Sequence, residues 1–299
     1  MTFDYDALNV LAAVVRSGSF EAAAKSMNVT QSAVSQRIKQ LEERFGAILV
    51  LRGRPCVATD EALALVRHVE EVGLMEFELR RQLGLDGGPQ SASANVRISV
   101  NTDSLATWFP VVVDRASKEL NLRLELIPED QEFTEERLRS GDALAIVTSK
   151  NTTIAGCQIV SLGSMEYMAV ASPQFVETHF PGEVTLESVA AAPSIRFDQK
   201  DTLPAQWLEV AFGRAEKLSP HQMPSYEGHL QCCLQSIGWA MMPALTVGQF
   251  VERGDLVEVR PGTSLSLPLY WQCRSNAVGA LARLNETVVE VASKSLTSD

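Results

Sequence analysis

The spacing of apolar residues changes once along this chain, and that change demands at least two differently built units. As far as Leu83 the apolar residues recur every three or four positions; from Val96 onward they alternate in short runs separated by helical stretches. One segment cannot satisfy both patterns, because side chains repeat every 3.6 residues on a helix and every 2 on a strand. Between the two regimes, Asp86-Gly87-Gly88-Pro89-Gln90-Ser91-Ala92-Ser93 reads as a linker of small and polar residues. With 299 residues, 45% of them hydrophobic and 21% charged, each unit can bury its own core, and a disordered chain is excluded.

In the first regime, Leu8, Leu11, Ala12 and Val15 predict one amphipathic helix. Phe20, Ala23, Ala24 and Met27 predict a second, and Val34, Ile38, Leu41 and Phe45 a third. Gly18-Ser19 and Asn28-Val29-Thr30 separate them, Gly46 ends the third, and Thr30 is placed to cap it with its hydroxyl. Arg52-Gly53-Arg54-Pro55 follows as a hairpin-like wing. Thr59 then caps a longer helix whose first turn carries Asp60 and Glu61, both favoured by the helix dipole. Its residues Leu65, Val69, Val72, Met75, Leu79 and Leu83 form a narrow apolar seam, and a helix of roughly 37 Å at 1.5 Å per residue needs a partner to cover it.

The third helix has an unusual outer face. With Val34, Ile38 and Leu41 turned inward, the opposite flank shows Gln31, Ser32, Ser35, Gln36 and Lys39. These are short hydrogen-bonding groups and one cation, where a solvated helix would carry Glu and Lys. Gln pairs bidentately with adenine, Ser bonds to several bases, and Lys reaches guanine or phosphate. A helical hairpin that merely packs has no use for such a flank, so the expectation is DNA recognition. The net charge of −11 fits once divided: residues 1–60 carry seven basic and six acidic side chains, leaving −12 on the remainder.

Beyond the linker, Val96, Ile98 and Val100 predict a strand, Pro110 to Leu120 a helix, and Leu122, Leu124 and Leu126 a strand. Thr134 to Arg139 reads as a helix ended by Gly141, and Ala143 to Thr148 as a strand. This order implies a parallel sheet in an α/β domain. Further strands are expected at Tyr167–Ala171, Ser194–Phe197, Trp239–Met242 and Leu256–Val259, and a final helix from about Val278 to Ser295. Ligands of such sheets collect at the carboxyl ends of the strands. The loops there offer Asn101, Thr102, Asp103, Ser104 and Thr107, then Glu129 and Asp130, then Thr148 and Ser149, with Asp198, Ser225 and Glu227 in the second half. Carboxylates pair with ammonium or guanidinium groups, while hydroxyls, helix N-termini and Arg196 suit a ligand carboxylate. A cationic amino acid fits this set. Trp108 and Trp239 read as core.

Other classes find little support. Cys56, Cys157, Cys232, Cys233 and Cys273 lack zinc spacing and read as free or buried thiols; no metal or other cofactor is implied. His68, His179, His221 and His229 stand in no nucleophile motif, and there is neither Gly-x-Ser-x-Gly nor a phosphate-cradling glycine loop, so an enzyme is not expected. No apolar run reaches a bilayer-spanning length of about 18 residues. The opening Met1-Thr2-Phe3-Asp4-Tyr5-Asp6 is unlike an export signal, so a cytoplasmic protein is expected in place of a secreted solute receptor.

The run from Ser17 to Gly46, SGSFEAAAKSMNVTQSAVSQRIKQLEERFG, resembles the helix-turn-helix of LysR-type transcriptional regulators, and the resemblance extends through the chain. Leu49-Val50-Leu51-Arg52 stands where that family usually has Leu-Phe-x-Arg, a departure confined to the wing. The resemblance implies an N-terminal winged helix-turn-helix over residues 4–60 and a linker helix and hinge over 61–93. A two-subdomain, periplasmic-binding-protein-like α/β effector domain would occupy 94–299, its first subdomain about 94–163 plus 268–299 and its second about 164–267. Tyr270-Trp271 would lie on a strand returning to the first subdomain. Thr30, Gln31, Ser32, Ser35, Gln36 and Lys39 would enter the major groove, with Arg52 and Arg54 holding the DNA backbone. Asn101 to Pro110, Glu135 to Gly141 and Leu269-Tyr270-Trp271 are similar to the ArgP/LysG branch, which senses lysine and arginine and controls basic amino-acid export. That likeness implies effector contacts at Asp103 and Ser104, with Glu129 and Asp130 next. It also implies double-stranded promoter DNA, RNA polymerase and a second copy of the chain as partners, dimerised through the 59–83 helix and assembled into a tetramer.

Overall fold

The computed structural model describes residues 3–85, 94–128, 137–138, 142–275, 277 and 279–298. The N-terminal helices are α1 (Tyr5–Ser17), α2 (Phe20–Ser26) and α3 (Gln31–Phe45). Thr30 Oγ1 accepts from the Ala33 amide at 3.2 Å, as its place before α3 demands, and the Gly46 amide closes the other end on the Glu42 carbonyl at 2.8 Å. A two-residue ladder, β1 (Val50–Leu51) with β2 (Val57–Ala58), forms the wing. Glu42 on α3 pins it: Oε1 accepts from the amides of Leu49 at 2.9 Å and Val50 at 3.2 Å. The Cys56 amide bonds the Gly18 carbonyl at 2.8 Å, fixing the wing to the turn between α1 and α2.

Helix α4 (Asp60–Gln82) is 23 residues long and capped by Thr59. The seam expected on it does not bury as one face. Val69 packs with Ala62 and Val66 into the N-terminal core, whereas Leu74 and Phe77 enter the C-terminal core. Met75, Leu79 and Leu83 form a separate flank, 50 to 63% exposed. Two apolar faces overlap in a three-to-four spacing, and the sequence pattern merges them into one stripe.

In the C-terminal domain, β3 (Ala94–Val100) pairs in parallel with β4 (Leu122–Pro128) and with β5 (Ala145–Thr148), as the strand–helix–strand order predicts. A short helix α5 (Thr102–Ala106), unread in the sequence, leaves the end of β3, and α6 (Phe109–Leu120) follows it. The helix expected at Thr134–Arg139 lies outside the described residues except for Arg137 and Leu138, which are helical.

Two long strands join the lobes, β6 (Cys157–Ala171) and β11 (Leu265–Arg274). They pair antiparallel along their length, and β11 also pairs with β5, setting Tyr270 opposite Thr148 and Trp271 opposite Val147. They pass from one lobe to the other where Gly163 faces Leu269, next to a register shift at Leu269/Tyr270. Gly163 has φ +96°, and a Cβ there would lie 2.5 Å from the Thr297 carbonyl oxygen, so only glycine fits.

The second lobe contains α7 (Pro173–His179), α8 (Leu186–Ala191), β7 (Ser194–Arg196), α9 (Leu203–Phe212) and β8 (Pro220–Gln222). After these come α10 (Tyr226–Leu234), β9 (Ala240–Pro243), α11 (Ala244–Arg253) and β10 (Val257–Glu258). Strands β9 and β10 flank β6 antiparallel, while β7 and β8 form a small parallel pair. The final helix α12 (Ala280–Ser295) packs back on α6. Trp108 and Trp239 are core residues, 2% and 0% exposed. The five cysteines are free thiols, four of them buried. Among the described residues no cluster of His, Cys, Asp and Glu is suited to a metal ion, and no helix is long and apolar enough to cross a membrane.

Candidate functional site

Two surfaces gather the polar residues singled out in the sequence. The first is the outer flank of α3, where Thr30, Gln31, Ser32, Gln36 and Lys39 are exposed and Ser35 is half-buried, opposite the buried Val34, Ile38 and Leu41. Thr30 Oγ1 also lies 3.0 Å from Ser32 Oγ. Lys39 makes a 3.7 Å pair with Glu43 on open surface, an interaction weak enough to be exchanged for a phosphate. On the wing, the Arg52 guanidinium lies 5.1 Å from the centroid of the Phe20 ring, and Arg54 is exposed. A helix flank and a wing with this polarity suit groove and backbone contacts respectively. A separate cleft of about 230 Å³ between α1 and α3 is lined by Asp4, Asp6, Arg37 and Gln40; it contains none of the residues chosen for the effector.

The second surface is a cleft between lobes, where α5 packs against α10. Asp103, on α5, is enclosed there. Its Oδ2 accepts from the Tyr167 hydroxyl at 2.7 Å, while Oδ1 has no hydrogen-bond partner among the described residues. Burial pushes the Asp103 carboxyl above the ordinary carboxylate range; the Tyr167 hydrogen bond opposes this, and the negative charge of Asp201 adds to it. Burial likewise raises the Tyr167 and Tyr226 phenols, with Asp103 adding to both. His229, 7% exposed, is pushed down by burial against the pull of Asp201. The site is thus a desolvated patch of negative potential with no cation paired to its central carboxylate among the described residues.

The other expected contacts fall around it unevenly. Ser104 is fully buried and its Oγ accepts from Trp108 Nε1 at 3.0 Å, so the hydroxyl holds an indole in place. Thr148 is 2% exposed and its Oγ1 accepts from the Lys150 amide at 3.2 Å; Ser149 is exposed beside it. Asp198 is exposed, and its Oδ1 ties the loop by accepting from the amides of Lys200 at 2.7 Å and Asp201 at 3.0 Å. Glu227, exposed at the start of α10, accepts from Gln231 at 3.1 Å and adds negative charge next to Tyr226. Arg196 sits at the end of β7 with its Nε inaccessible and without a partner. Glu129 and Asp130 lie outside the described residues.

Tyr167, Asp201 and Tyr226 were not among the expected contacts. Asp201 accepts from the amides of Phe197 and Leu203, both at 3.0 Å, which fixes the loop and points its charge at the Asp103 group. Tyr226 is hydrogen-bonded to Thr246 on α11. The one sequence signal for them was position: Tyr167 opens a predicted strand segment, and Tyr226 lies between the chosen Ser225 and Glu227.

A reading helix with a wing, joined by one long helix to a two-lobed cleft, matches two family descriptions that divide the chain between them. Residues 5–63 match the bacterial regulatory helix-turn-helix protein, lysR family, and residues 89–290 match the LysR substrate binding domain. The chain belongs to the LysR family, DNA-binding transcriptional regulators with an effector-binding domain. Within it, the chain is 39% identical to the transcriptional regulator ArgP of Pseudomonas aeruginosa over 285 residues, 95% of this chain and 94% of the relative. To LysG of Mycobacterium tuberculosis it is 38% identical over 286 residues, 96% of this chain and 92% of the relative. Its fold is similar to the crystal structure of ArgP from Mycobacterium tuberculosis, with TM-score 0.81, 36% identity and 100% of both chains covered. It is also similar to full-length LysG from Corynebacterium glutamicum with bound effector arginine, with TM-score 0.71, 31% identity and 98% and 99% of the two chains covered.

Proposed function

We propose that this regulator answers to a basic amino acid, arginine or lysine, held in the cleft between α5 and α10, and that it controls genes for basic amino-acid export. One observation carries the reading: Asp103 is a buried carboxylate with one oxygen open and no cation beside it among the described residues. A buried charge without a partner is costly, and a guanidinium or ammonium group supplies the partner. Tyr167 orients the carboxylate, Asp201 and Glu227 deepen the negative field, and Ser104 acts by holding Trp108. Arg196 and the hydroxyls of the cleft suit the ligand carboxylate. The arginine bound to the Corynebacterium glutamicum LysG, a relative over nearly its whole length, supports the ligand class.

In the same reading, Thr30, Gln31, Ser32, Ser35, Gln36 and Lys39 meet the major groove, and Arg52 and Arg54 meet phosphates. The exposed Met75, Leu79 and Leu83 flank of α4 pairs with a second copy, and two dimers form the tetramer. The protein works in the cytoplasm on double-stranded promoter DNA with RNA polymerase, and it senses its ligand without converting it. Calorimetry on the full chain tests the ligand assignment. Arginine or lysine should bind one site per chain, and Asp103→Ala should abolish the heat; tight binding of a neutral or anionic metabolite, with neither basic amino acid registering, removes the assignment.

A further inference from the structure

The C-terminal half of α4 is fastened to the effector domain by a carboxylate–guanidinium fork. Glu78 Oε1 and Oε2 accept from the two terminal nitrogens of Arg283 at 3.2 and 2.8 Å, and Arg81 and Gln82 add hydrogen bonds to Oε1 at 3.3 and 3.4 Å. Glu78 is only 8% exposed, and the fork holds its carboxyl down at about 2, so the pair stays charged under all ordinary conditions. The neighbouring backbone is shaped to admit it. Gly279 has φ +58°, and a Cβ there would come within 2.7 Å of Glu78 Cγ.

The fork lies on a continuous packed route between the two surfaces described above. Asp103 is on α5, α5 packs on α6, α6 on α12, and Arg283 is in the first turn of α12. From Glu78, helix α4 runs back through Leu74 and Phe77, seated in the effector core, to Val69 and Val66, seated in the DNA-binding core. At that end Arg16 on α1 donates to Glu70 at 2.6 Å, tying the helix to the DNA-reading domain. A single unbroken helix rooted in both cores transmits a displacement without slack.

We infer that Glu78 is the positioning residue that couples the effector cleft to the DNA-reading domain, through its fork with Arg283 against Gly279. The effector part rests on the reading of the Asp103 cleft as the ligand site. The fork touches neither ligand nor DNA, so its removal should leave each binding event intact and dissolve only their linkage.

The test uses the full chain and three proteins: wild type, Glu78→Gln and the conservative Arg283→Lys. Arginine binding by calorimetry should stay within about twofold of wild type in all three. The change in operator affinity that arginine produces should fall from the roughly 5- to 150-fold typical of an allosteric ligand to under about twofold in Glu78→Gln, with Arg283→Lys between. Amide hydrogen exchange should rise together in the last turns of α4 and the first turn of α12, leaving α3 unchanged. Full retention of the arginine effect in Glu78→Gln overturns the inference, and so does arginine affinity falling in step with the coupling. If the wild type binds neither arginine nor lysine, the ligand reading fails separately. Exchange then still decides: a rise on both sides of the fork supports the joint, and a rise confined to one helix overturns it.

Discussion

On α3 the side chains proposed to meet DNA stand on successive turns of one helix and are exposed, whereas those proposed to meet the effector come from α5, β6, the Asp201 loop and α10 and are enclosed. The difference is energetic as much as geometric. An exposed Gln or Ser is hydrated before it binds and exchanges one set of hydrogen bonds for another, so each contributes modestly. A buried carboxylate has already lost its water, so the ligand that neutralises it recovers a large term at one atom. Recognition should therefore be spread over many residues on α3 and concentrated on Asp103 in the cleft.

The largest expected effect follows from that concentration. Asp103→Ala should weaken arginine or lysine binding by on the order of 100-fold, about 3 kcal/mol, measured by calorimetry. Glu227→Gln, at an exposed position, should cost under about threefold. Equal losses at the two positions would break the contrast between a buried focus and a surrounding field.

Acidity sharpens the same point. Asp103 has its carboxyl raised from 3.8 by burial, while a bound cation favours the ionised form and pulls it down. Binding should thus release a proton near the raised value, and below it affinity should drop by about tenfold per pH unit. Without ligand the sign reverses for folding. Between 3.8 and the raised value the native state keeps a proton that the unfolded chain has lost, so stability declines as pH rises through that window. Affinity that is flat with pH in wild type, and unchanged in Asp103→Asn, would place the ligand elsewhere.

On the DNA side the effects should be smaller and divided. Gln36→Ala should cost about 1–3 kcal/mol against one base pair and relax preference there alone, read by competition gel shifts over single-base operator variants. Thr30→Ala should lower the melting free energy by about 1 kcal/mol, because an amide at the start of α3 loses the 3.2 Å hydroxyl acceptor.

The contrast also explains what was legible in the sequence. On α3 the period, the Thr30 cap and the polar flank all lie within sixteen consecutive residues, so fold and surface could be read together. The parallel strands β3, β4 and β5 were legible for the same local reason. Helix α4 was legible as a helix but not in its loyalties, since Val69 and Leu74 serve different cores five positions apart. Strand β11 carries a clear alternation of Leu265, Leu267, Leu269, Trp271 and Cys273, masked by Pro268. The structure tolerates that proline because it precedes the residues that pair with β5. In the cleft, the strand-end rule found Asp103 but not Tyr167, Asp201 or Tyr226. Their meeting depends on tertiary crossings that no local pattern encodes.

The smallest effect belongs to the wing, where its two arginines differ in one respect. Arg54 is exposed, whereas Arg52 stacks 5.1 Å from the Phe20 ring centroid, on the first residue of α2. Each neutralised phosphate lowers the slope of log affinity against log salt by about 0.9, whatever the base sequence. Arg54→Gln should therefore reduce that slope by about 0.9 for operator and random DNA alike and leave the melting temperature unchanged. Arg52→Gln should lose the same slope and, in addition, about 0.5–1 kcal/mol of stability with the cation–π contact. If Arg54→Gln instead altered the preference among bases while keeping the salt slope, the wing would be reading sequence, and the division between a helix that specifies and a wing that holds would fail.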